Sequence, residues 1–417
     1  MYYSSPEQAV TYIQPGDNVF IHSAASSPRF LIEAMASQAD RLERISIYSI
    51  HTEGDLPYAH PDLICHFDIN CFFVGANTRS LVQSGQAQYI PVFLQEIPAL
   101  FRTRRIDLDV AMLSVSKPNE KGFCSLGVSV DVSLAAFQTA RYKIAEVNDK
   151  IPFTAGDGII HIDDFDALVE VSQDLYEYKK KKIGKTEAQI GKHVASLIED
   201  RSCLQMGIGS IPEATLNYLK GHKNIGIHTE LCTDSVVELL ESGVITGAYK
   251  KTNPGKIVTG FALGDETFYR YLHKNHEFLF KDSSYVNDTR TIRQNPRTVA
   301  INSAIEVDIT GQVCADSIGS LQYSGVGGQM DFIRGAGLSE GGKAIIALPS
   351  RTHSGIPRIV PVLKPGASVV TTRAHVQYVI TEYGIADLYG KSLHERAKAM
   401  INIAHPEDRE AMCRLII

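Results

Sequence analysis

The sequence has no CxxC pair, no apolar run near the ~20 residues that a membrane-spanning helix needs, and no excess of basic charge. The seven cysteines are odd in number and scattered, which argues against a disulfide framework or a zinc site and fits a reducing cytoplasm. Lys plus Arg number 41 and Asp plus Glu 47, so no broad surface for nucleic acid is expected. The N-terminus lacks a signal-peptide pattern. We expect a cytoplasmic protein without membrane or nucleic-acid partners.

The composition is that of a globular protein, with 44% hydrophobic and 21% charged residues in a chain of 417. Short apolar runs alternate with amphipathic stretches, which predicts an α/β fold with mostly parallel sheets. The predicted strands are Asn18 to Ile21, Ile45 to Ile50, Ile69 to Val74, Val110 to Val115, Lys143 to Val147, Cys203 to Ile208, Asn224 to His228, Lys256 to Phe261, Glu277 to Phe280, Thr298 to Ile301, Ile305 to Ile309, Lys343 to Leu348, Ser368 to Thr371 and Gln377 to Ile380. Helices are predicted at Arg29 to Ala39, from Pro212, at Asp234 to Ser242, at Leu393 to Ile403 and after Pro406.

A polar, charged stretch at residues 176–186 has no apolar period and predicts a linker between two domains, 1–183 and 184–417. Its lysines, 179–182, could meet phosphates or could be a solvated run at a junction. The next helix is predicted to start with a capping box made by Thr186 and Gln189.

Glu230 is the leading catalytic candidate. It is predicted to end an apolar strand just before a helix that Thr233 can cap, where a carboxylate is held on a rigid element. A carboxylate nucleophile served by backbone donors is suited to acyl transfer. The structural alternative is a Glu that favours a helix dipole. The His228-x-Glu230 spacing occurs in zinc deaminases, but no Pro-Cys-x-x-Cys follows, so that alternative is rejected.

Two glycine-rich segments accompany Glu230. The first runs from Gly207 to Pro212 at a predicted strand-to-helix turn; it matches neither the dinucleotide fingerprint nor the Walker loop, and it is either an anion site or an ordinary tight turn. In the second, residues 311–342, nine of thirty-two residues are glycine. Gly327 and Gly328 next to Gln329 and Asp331 favour a ligand site over a surface loop.

Weaker candidates lie elsewhere. Asn287 and Glu382 follow or end apolar segments and are either crevice residues or turn and capping residues. A group of acidic and imidazole side chains is either a cation site or a polar turn: His161, Asp163, Asp164 and Asp166. A serine hydrolase of the α/β type is disfavoured, because the Gly-x-Ser-x-Gly elbow does not occur.

Ordered motifs over nearly the whole chain carry a resemblance to a known family. In the first half they are Phe73 to Arg79, Tyr89 to Val92, Lys121 to Cys124 and Ala145 to Asn148. In the second half they are the turn at Gly207, His228 to Glu230, Ala300 to Asp308, Gly325 to Phe332, Thr381 to Ala386 and Ile401 to Pro406. The chain resembles the acetyl-CoA hydrolase/transferase family, and within it the 4-hydroxybutyrate and butyrate:acetate CoA-transferases.

The resemblance implies two CoA-transferase-type α/β domains with the active site at their interface, and a ping-pong transfer of CoA between a short acyl-CoA and a short-chain carboxylate. The resemblance further implies a glutamate that carries CoA as a thioester, and by motif match this glutamate is Glu230. No metal and no permanently bound cofactor are implied; CoA and acyl-CoA are substrates. The implied CoA contacts are Gly207, Ile208, Gly209, Ser210, Ile211, Asn287, Ile305, Gly327, Gly328 and Glu382.

The resemblance also implies a homodimer or a higher homo-oligomer. Near Arg351 the chain departs from its relatives, which often have a lysine and further glycines there, so the CoA contact of that segment is left open. The alternatives to a transferase are an acetyl-CoA hydrolase on the same site and a non-catalytic CoA-binding regulatory protein.

Overall fold

The computed structural model describes residues 3–180 and 182–414, so Lys181 of the predicted lysine run lies outside the described residues. The chain divides into two compact units. The first comprises Met1–Lys179 and Val258–Val286, and the second comprises Lys180–Ile257 and Asn287–Ile417. The passage at Lys179–Lys180 is close to the predicted boundary at 183/184. Unlike the predicted linear division, residues 258–286 return to the first unit.

The strands within the described residues are, in chain order, β1 Asn18–Ile21, β2 Ile45–Ser49, β3 Phe67–Cys71, β4 Ala87–Tyr89, β5 Val110–Val115, β6 Phe123–Ser125, β7 Tyr142–Asn148, β8 Ala155–Gly156, β9 Ile159–His161, β10 Ala167–Val171, β11 Cys203–Met206, β12 Gly226–Thr233, β13 Ile257–Leu263, β14 Phe278–Phe280, β15 Thr298–Asn302, β16 Glu306–Asp308, β17 Val313–Cys314, β18 Ser317–Ile318, β19 Leu321–Gln322, β20 Lys343–Ala347, β21 Ile359–Val360, β22 Tyr378–Thr381 and β23 Gly384–Asp387.

The α-helices are α1 Pro6–Ala9, α2 Arg29–Ser37, α3 Arg79–Ser84, α4 Ile97–Arg102, α5 Ser133–Thr139, α6 Lys185–Ala195, α7 Ser210–Asn217, α8 Val237–Glu241, α9 Glu266–Leu272, α10 Ser283–Val286, α11 Thr289–Gln294, α12 Gln329–Leu338, α13 Leu393–Ile403 and α14 Pro406–Cys413. Short 3₁₀ helices lie at Val10–Tyr12, Ala39–Arg41, Pro57–Ala59, Ile64–His66, Leu94–Glu96, Ile162–Asp164 and Asp234–Val236.

The first unit is built on a parallel sheet in the order β10-β7-β5-β1-β2-β3-β4. The interior strand β5 is buried along its whole length, as expected for a parallel strand covered on both faces. Aliphatic side chains such as Val19, Ile21, Ile45 and Ile47 form the core under α2. β14 pairs with β8 of the same unit, which is one reason why residues 258–286 belong to it.

In the second unit the strand order is β23-β22-β20-β15-β11-β12, and all neighbours are parallel except the β22–β23 hairpin. Chain order reverses at β11, since β12 lies on one side of it and β15 on the other. In parallel α/β sheets, ligands bind outside the carboxyl ends of the strands at such a reversal. The turn that begins at Gly207 follows β11 at this point.

Several local predictions fail. α6 begins at Lys185 after Gly184 and has no side-chain cap, so the Thr186–Gln189 capping box is wrong. Residues 368–371 form no named strand; Thr371 makes only an isolated bridge with Val313.

His161 accepts a hydrogen bond from Asp163 N–H and caps a 3₁₀ turn, as the polar-turn alternative predicts.

Within the described part of the chain, no helix is both long enough and apolar enough to cross a membrane.

Candidate active site

Glu230 lies inside a strand, not after one. β12 continues to Thr233, and the side chain of Thr233 makes no capping hydrogen bond at the 3₁₀ turn that follows. The predicted strand end is therefore wrong. The polar residues from His228 onward interrupt the apolar pattern without ending the extended backbone. Glu230 is half-buried, whereas the strand residues before it are buried.

Thr229 ties this strand to the first glycine turn. Its Oγ1 accepts a hydrogen bond from Met206 N–H at 3.3 Å and lies 3.0 Å from Met206 O and from Leu231 O. Met206 is the last residue of β11 and precedes Gly207. The glycine turn is thus fixed beside the residue that precedes Glu230.

The turn itself is open. Gly209 has φ +121°, a conformation that L side chains rarely adopt, and it is the N-cap of α7 without a side-chain cap. A Cβ built on Gly207 or Gly209 would meet no atom within 4 Å. Ile208 is exposed. The first N–H groups of a helix have no intrahelical acceptor, so an open turn of this kind leaves them available to a ligand.

Asn287 joins two carboxylates. Its Nδ2 donates to Glu230 Oε2 at 3.1 Å and to Asp331 Oδ2 at 3.3 Å. Asn287 is fully buried and Asp331 is 5% exposed. The amide therefore lies between Glu230 of β12 and the first turn of α12.

Gly328, the N-cap of α12, packs directly against this pair. A Cβ added there would lie 1.9 Å from Glu230 Oε2 and 2.1 Å from Asn287 Nδ2. Any larger residue would displace one of the two groups. The position of α12 is further fixed by Gln329, whose Nε2 donates to Ser303 O at 2.7 Å.

Two other predicted contacts, Glu382 and Ile305, have hydrogen-bond partners outside this cluster. Glu382 accepts hydrogen bonds from Ser350 N–H at 2.9 Å and Ser350 Oγ at 2.6 Å, and it lines a cavity of about 530 Å³ with Arg351 and Arg358, of which Glu230 is not a lining residue. Ile305 is half-buried and donates its N–H to Cys314 O at 2.8 Å. The hydrogen bond between Asn287 and Glu230 and the packing of Gly328 against both thus bring these three predicted residues together.

From the sequence, Asp331 belongs to the glycine-rich segment that favours a ligand site but has no predicted role of its own, and Thr229 is not predicted as a site residue. Asp331 follows a helix start and has the appearance of an ordinary dipole-favouring carboxylate. Besides its place in that segment, the signal for Asp331 is its spacing of three residues from Gly328, which places both on the same turn.

The neighbouring thiol is not an alternative nucleophile. Cys232 is buried, and burial, together with the charge of Asp234, raises the pKa of its thiol to about 12. The reactive form of a cysteine is the thiolate, which is scarce at neutral pH under these conditions. Among the residues that the structure describes, no group of three or more His, Cys, Asp or Glu side chains could hold a metal ion.

Comparison with known proteins supports the resemblance. The N-terminal domain of the acetyl-CoA hydrolase/transferase family matches residues 2–202, and its C-terminal domain matches residues 264–415. A succinyl-CoA:acetate/propanoyl-CoA:succinate CoA transferase of Fasciola hepatica is 47% identical over 414 residues, which are 98% of this chain and 86% of the relative. A 4-hydroxybutyrate coenzyme A transferase of Clostridium kluyveri is 46% identical over 407 residues, 97% of this chain and 95% of the relative.

The crystal structure of a 4-hydroxybutyrate CoA-transferase from Porphyromonas gingivalis has a TM-score of 0.87 and 37% identity to this chain, covering 99% of this chain and 97% of that one. The predicted α/β class with largely parallel sheets is confirmed. The predicted enzyme class is confirmed by relatives that are CoA-transferases over nearly the full length. The chain belongs to the acetyl-CoA hydrolase/transferase family.

Proposed function

We propose that the protein transfers CoA from a short acyl-CoA to a short-chain carboxylate, with Glu230 as the nucleophile that carries CoA between them. The observation that carries this proposal is the Glu230 carboxylate held at 3.1 Å from the Asn287 amide and against the backbone of Gly328. A half-buried carboxylate with adjacent donors is suited to attack on an acyl carbonyl.

The reaction proceeds in two half-reactions. Glu230 attacks the thioester carbonyl, the C–S bond breaks, and an acyl-glutamyl anhydride and CoA thiolate form. The thiolate then attacks the glutamyl carbonyl, the first acyl group leaves as its carboxylate, and CoA is bound to Glu230 as a thioester. A second carboxylate then attacks the glutamyl thioester and releases CoA thiolate, which forms a second anhydride. The thiolate attacks the acyl carbonyl of this anhydride, so the new acyl-CoA leaves, the Glu230 carboxylate is restored and the energy of the thioester is retained.

The donors for the developing oxyanions are the Asn287 amide and backbone N–H groups at Gly207 to Gly209 and Gly327 to Gly328. Each donor of this kind is worth ~3 kcal/mol of transition-state stabilisation. CoA lies along the turn from Gly207 to Ile211. Binding energy from CoA remote from the reacting carbonyl assembles these groups.

Ile305 and Glu382 complete the proposed CoA contacts. Support for Glu382 comes from the cavity that it lines with Arg351 and Arg358, whose guanidinium groups carry the charge that suits phosphate. Arg351 is engaged by Asp408 and Glu407, so Arg358 is the more available of the two.

The proposed substrate class is supported by the two CoA-transferases of Fasciola hepatica and Clostridium kluyveri. Their names contain acetate, succinate, propanoyl and 4-hydroxybutyrate groups, all carboxylates or acyl groups of two to four carbons. We propose the same size range here. Water is the alternative acceptor, because the chain is also 32% identical, over 219 residues, to an acetyl-CoA hydrolase of Kluyveromyces lactis, although that match covers 51% of this chain and 40% of the relative.

We further propose a homodimer in the cytoplasm. The cytoplasm is supported by the seven cysteines, all of which are free in the structure. The dimer rests on the family resemblance and is tested by light scattering of the purified protein.

The test is intact-protein mass spectrometry after incubation with acetyl-CoA, with and without borohydride, beside a Glu230→Gln control. A CoA-sized adduct that maps to Glu230 and is absent from the variant supports the proposal. Acetate-stimulated turnover separates transfer from hydrolysis. Consumption of acetyl-CoA without an adduct indicates direct hydrolysis, and CoA binding without consumption indicates a non-catalytic CoA-binding protein.

A further inference from the structure

We infer that Asp331 is a positioning residue, which holds the Asn287 amide with its N–H donors facing Glu230 throughout the catalytic cycle. This inference rests on the proposed function and adds a residue to it. Asp331 acts through Asn287 and is not proposed to touch the substrate.

The first support is the shared donor group. Asn287 Nδ2 has two hydrogens, and it lies 3.1 Å from Glu230 Oε2 and 3.3 Å from Asp331 Oδ2. Both acceptors are carboxylate oxygens, so the opposite orientation of the amide would place Oδ1 against two negative groups. The carboxylates therefore select one of the two nearly isosteric orientations.

The second support lies at the other end of the amide. Asn287 Oδ1 is buried and finds no hydrogen-bond partner within the part of the chain that the structure describes. The orientation is thus set by the contacts of Nδ2 alone. If one of the two carboxylates is lost, the other must hold the donor.

The third support is chemical. In the proposed cycle Glu230 becomes first an anhydride and then a thioester, and both are uncharged. In these states Glu230 can no longer hold the amide as a charged acceptor. Asp331 keeps its carboxylate, so the amide remains a donor when the second carboxylate attacks.

The fourth support is rigidity. Asp331 lies on the first turn of α12, whose N-cap is Gly328. Glu230 Oε2 and Asn287 Nδ2 occupy the space that a Cβ on Gly328 would need. A small displacement of the Asn287 amide towards α12 would therefore bring it against the backbone of Gly328. The start of α12 therefore provides both the backbone of Gly328, which packs against the Asn287 amide, and the Asp331 carboxylate, which orients it.

The experiment separates the two half-reactions. Wild type, Asp331→Ala and Asp331→Asn are charged with acetyl-CoA in rapid-mixing assays, and the isolated glutamyl-CoA enzyme is then discharged with acetate. We expect Asp331→Ala to slow discharge, the transfer of CoA from Glu230 to acetate, by about 10- to 100-fold, which is the cost of a mispositioned group. Charging, the formation of the glutamyl-CoA thioester from acetyl-CoA, should be slowed by a smaller factor. Asp331→Asn keeps an oxygen acceptor and should recover part of the rate. The KM for acetyl-CoA should change little.

A double-variant cycle tests whether Asp331 acts through Asn287. In an Asn287→Ala background, Asp331→Ala should have almost no further effect on discharge, because the group that it orients is gone. The matched control is Asp308→Asn, which alters another buried carboxylate of the second unit, one that accepts from Thr310 and Gln312. It should leave the ratio of the two half-reactions unchanged, even if it lowers the melting temperature.

The outcomes are distinct. If the wild type forms the thioester and Asp331→Ala charges and discharges at wild-type rates, the inference on Asp331 is overturned and the proposed function stands. The inference is also overturned if the effects of Asp331→Ala and Asn287→Ala multiply independently, or if the melting temperature alone accounts for the loss. If the wild type forms no thioester at all, the proposed function and the inference fail together.

Discussion

Two glutamates, Glu146 in the parallel sheet of the first unit and Glu230 in the sheet of the second, have opposite environments. Glu146 in β7 is 1% exposed, and its carboxyl accepts the N–H of Leu31 at 2.8 Å. Leu31 lies in the first turn of α2, whose N-cap, Pro28, provides no side-chain cap. Burial raises the pKa of Glu146 to about 8. Glu230 is half-buried and contacts a side-chain amide.

The difference shows that residue type and strand position do not assign a role. A carboxyl buried against a helix start, with its pKa raised, is largely protonated at neutral pH and is suited to capping. A carboxylate that keeps access to solvent beside an amide donor is suited to attack. Both glutamates lie in motifs that carry the family resemblance, so a place in such a motif does not by itself make a glutamate a nucleophile.

The largest expected effect is that of Glu230→Gln. It should reduce CoA transfer by at least about 10⁴-fold, because the covalent route is removed. Steady-state rates with acetyl-CoA and a carboxylate acceptor are measured beside Glu146→Gln, which should keep most of its activity at neutral pH. Equal losses in the two variants would contradict the distinction drawn between the two residues.

Gly328→Ala should follow, with a loss of about 10²- to 10³-fold, as when a transition-state donor is lost. The added Cβ would overlap Glu230 Oε2 and Asn287 Nδ2. Gly221→Ala is the matched control, because a Cβ there meets nothing within 4 Å and no left-handed φ is involved. Wild-type rates in Gly328→Ala, with retained melting temperature, would show that the packing seen around Glu230 is not needed for catalysis.

The next effect concerns stability and pH. The pKa of Glu146 is about 8 in the folded protein against an ordinary value of 4.5, so the folded state binds more protons between these values. Its contribution to stability is fully present below pH 4.5 and is lost as pH rises to 8, on the order of a few kcal/mol. The difference in urea midpoint between wild type and Glu146→Gln, measured from about pH 5 to pH 8, should shift in favour of the variant as pH rises. If this difference in urea midpoint did not change with pH, the pKa of Glu146 would not be raised by folding, which would contradict the predicted effect of its burial.

The smallest expected effect is the contribution of Lys250 to the pH dependence of stability. Lys250 is a buried residue of the second unit, and its charge is opposite in sign to that of Glu146. Its Nζ donates to Ile227 O and Lys256 O, both at 2.7 Å, and burial lowers its pKa from 10.5 to about 8. The folded state binds fewer protons between pH 8 and 10.5, so stability should rise with pH in that window. Urea midpoints of Lys250→Met should lack this rise, and those of the control Lys223→Met, at a position outside the core, should keep it.

Local patterns predicted many elements. β5 at Val110–Val115 and α13 at Leu393–Ile403 have the predicted bounds, because an apolar run between turn signals and a 3.6-residue period are properties of the chain itself. The errors fall where the pattern is polar. β12 runs past Glu230 to Thr233, and α6 begins without the expected cap. Whether such residues stay extended or helical depends on partners that are distant in sequence.

The sequence by itself determined the family, the α/β class, the candidate nucleophile Glu230 and the glycine turns, since these depend on residue identity and short spacing. The tertiary structure decided that residues 258–286 join the first unit and that Asn287 lies between Glu230 and Asp331. These partners are 57 and 44 residues from Asn287 along the chain. No local pattern encodes such a contact, because Glu230 lies within β12, Asn287 precedes α11 and Asp331 lies in the first turn of α12, and only the packing of these separate elements brings the three side chains together.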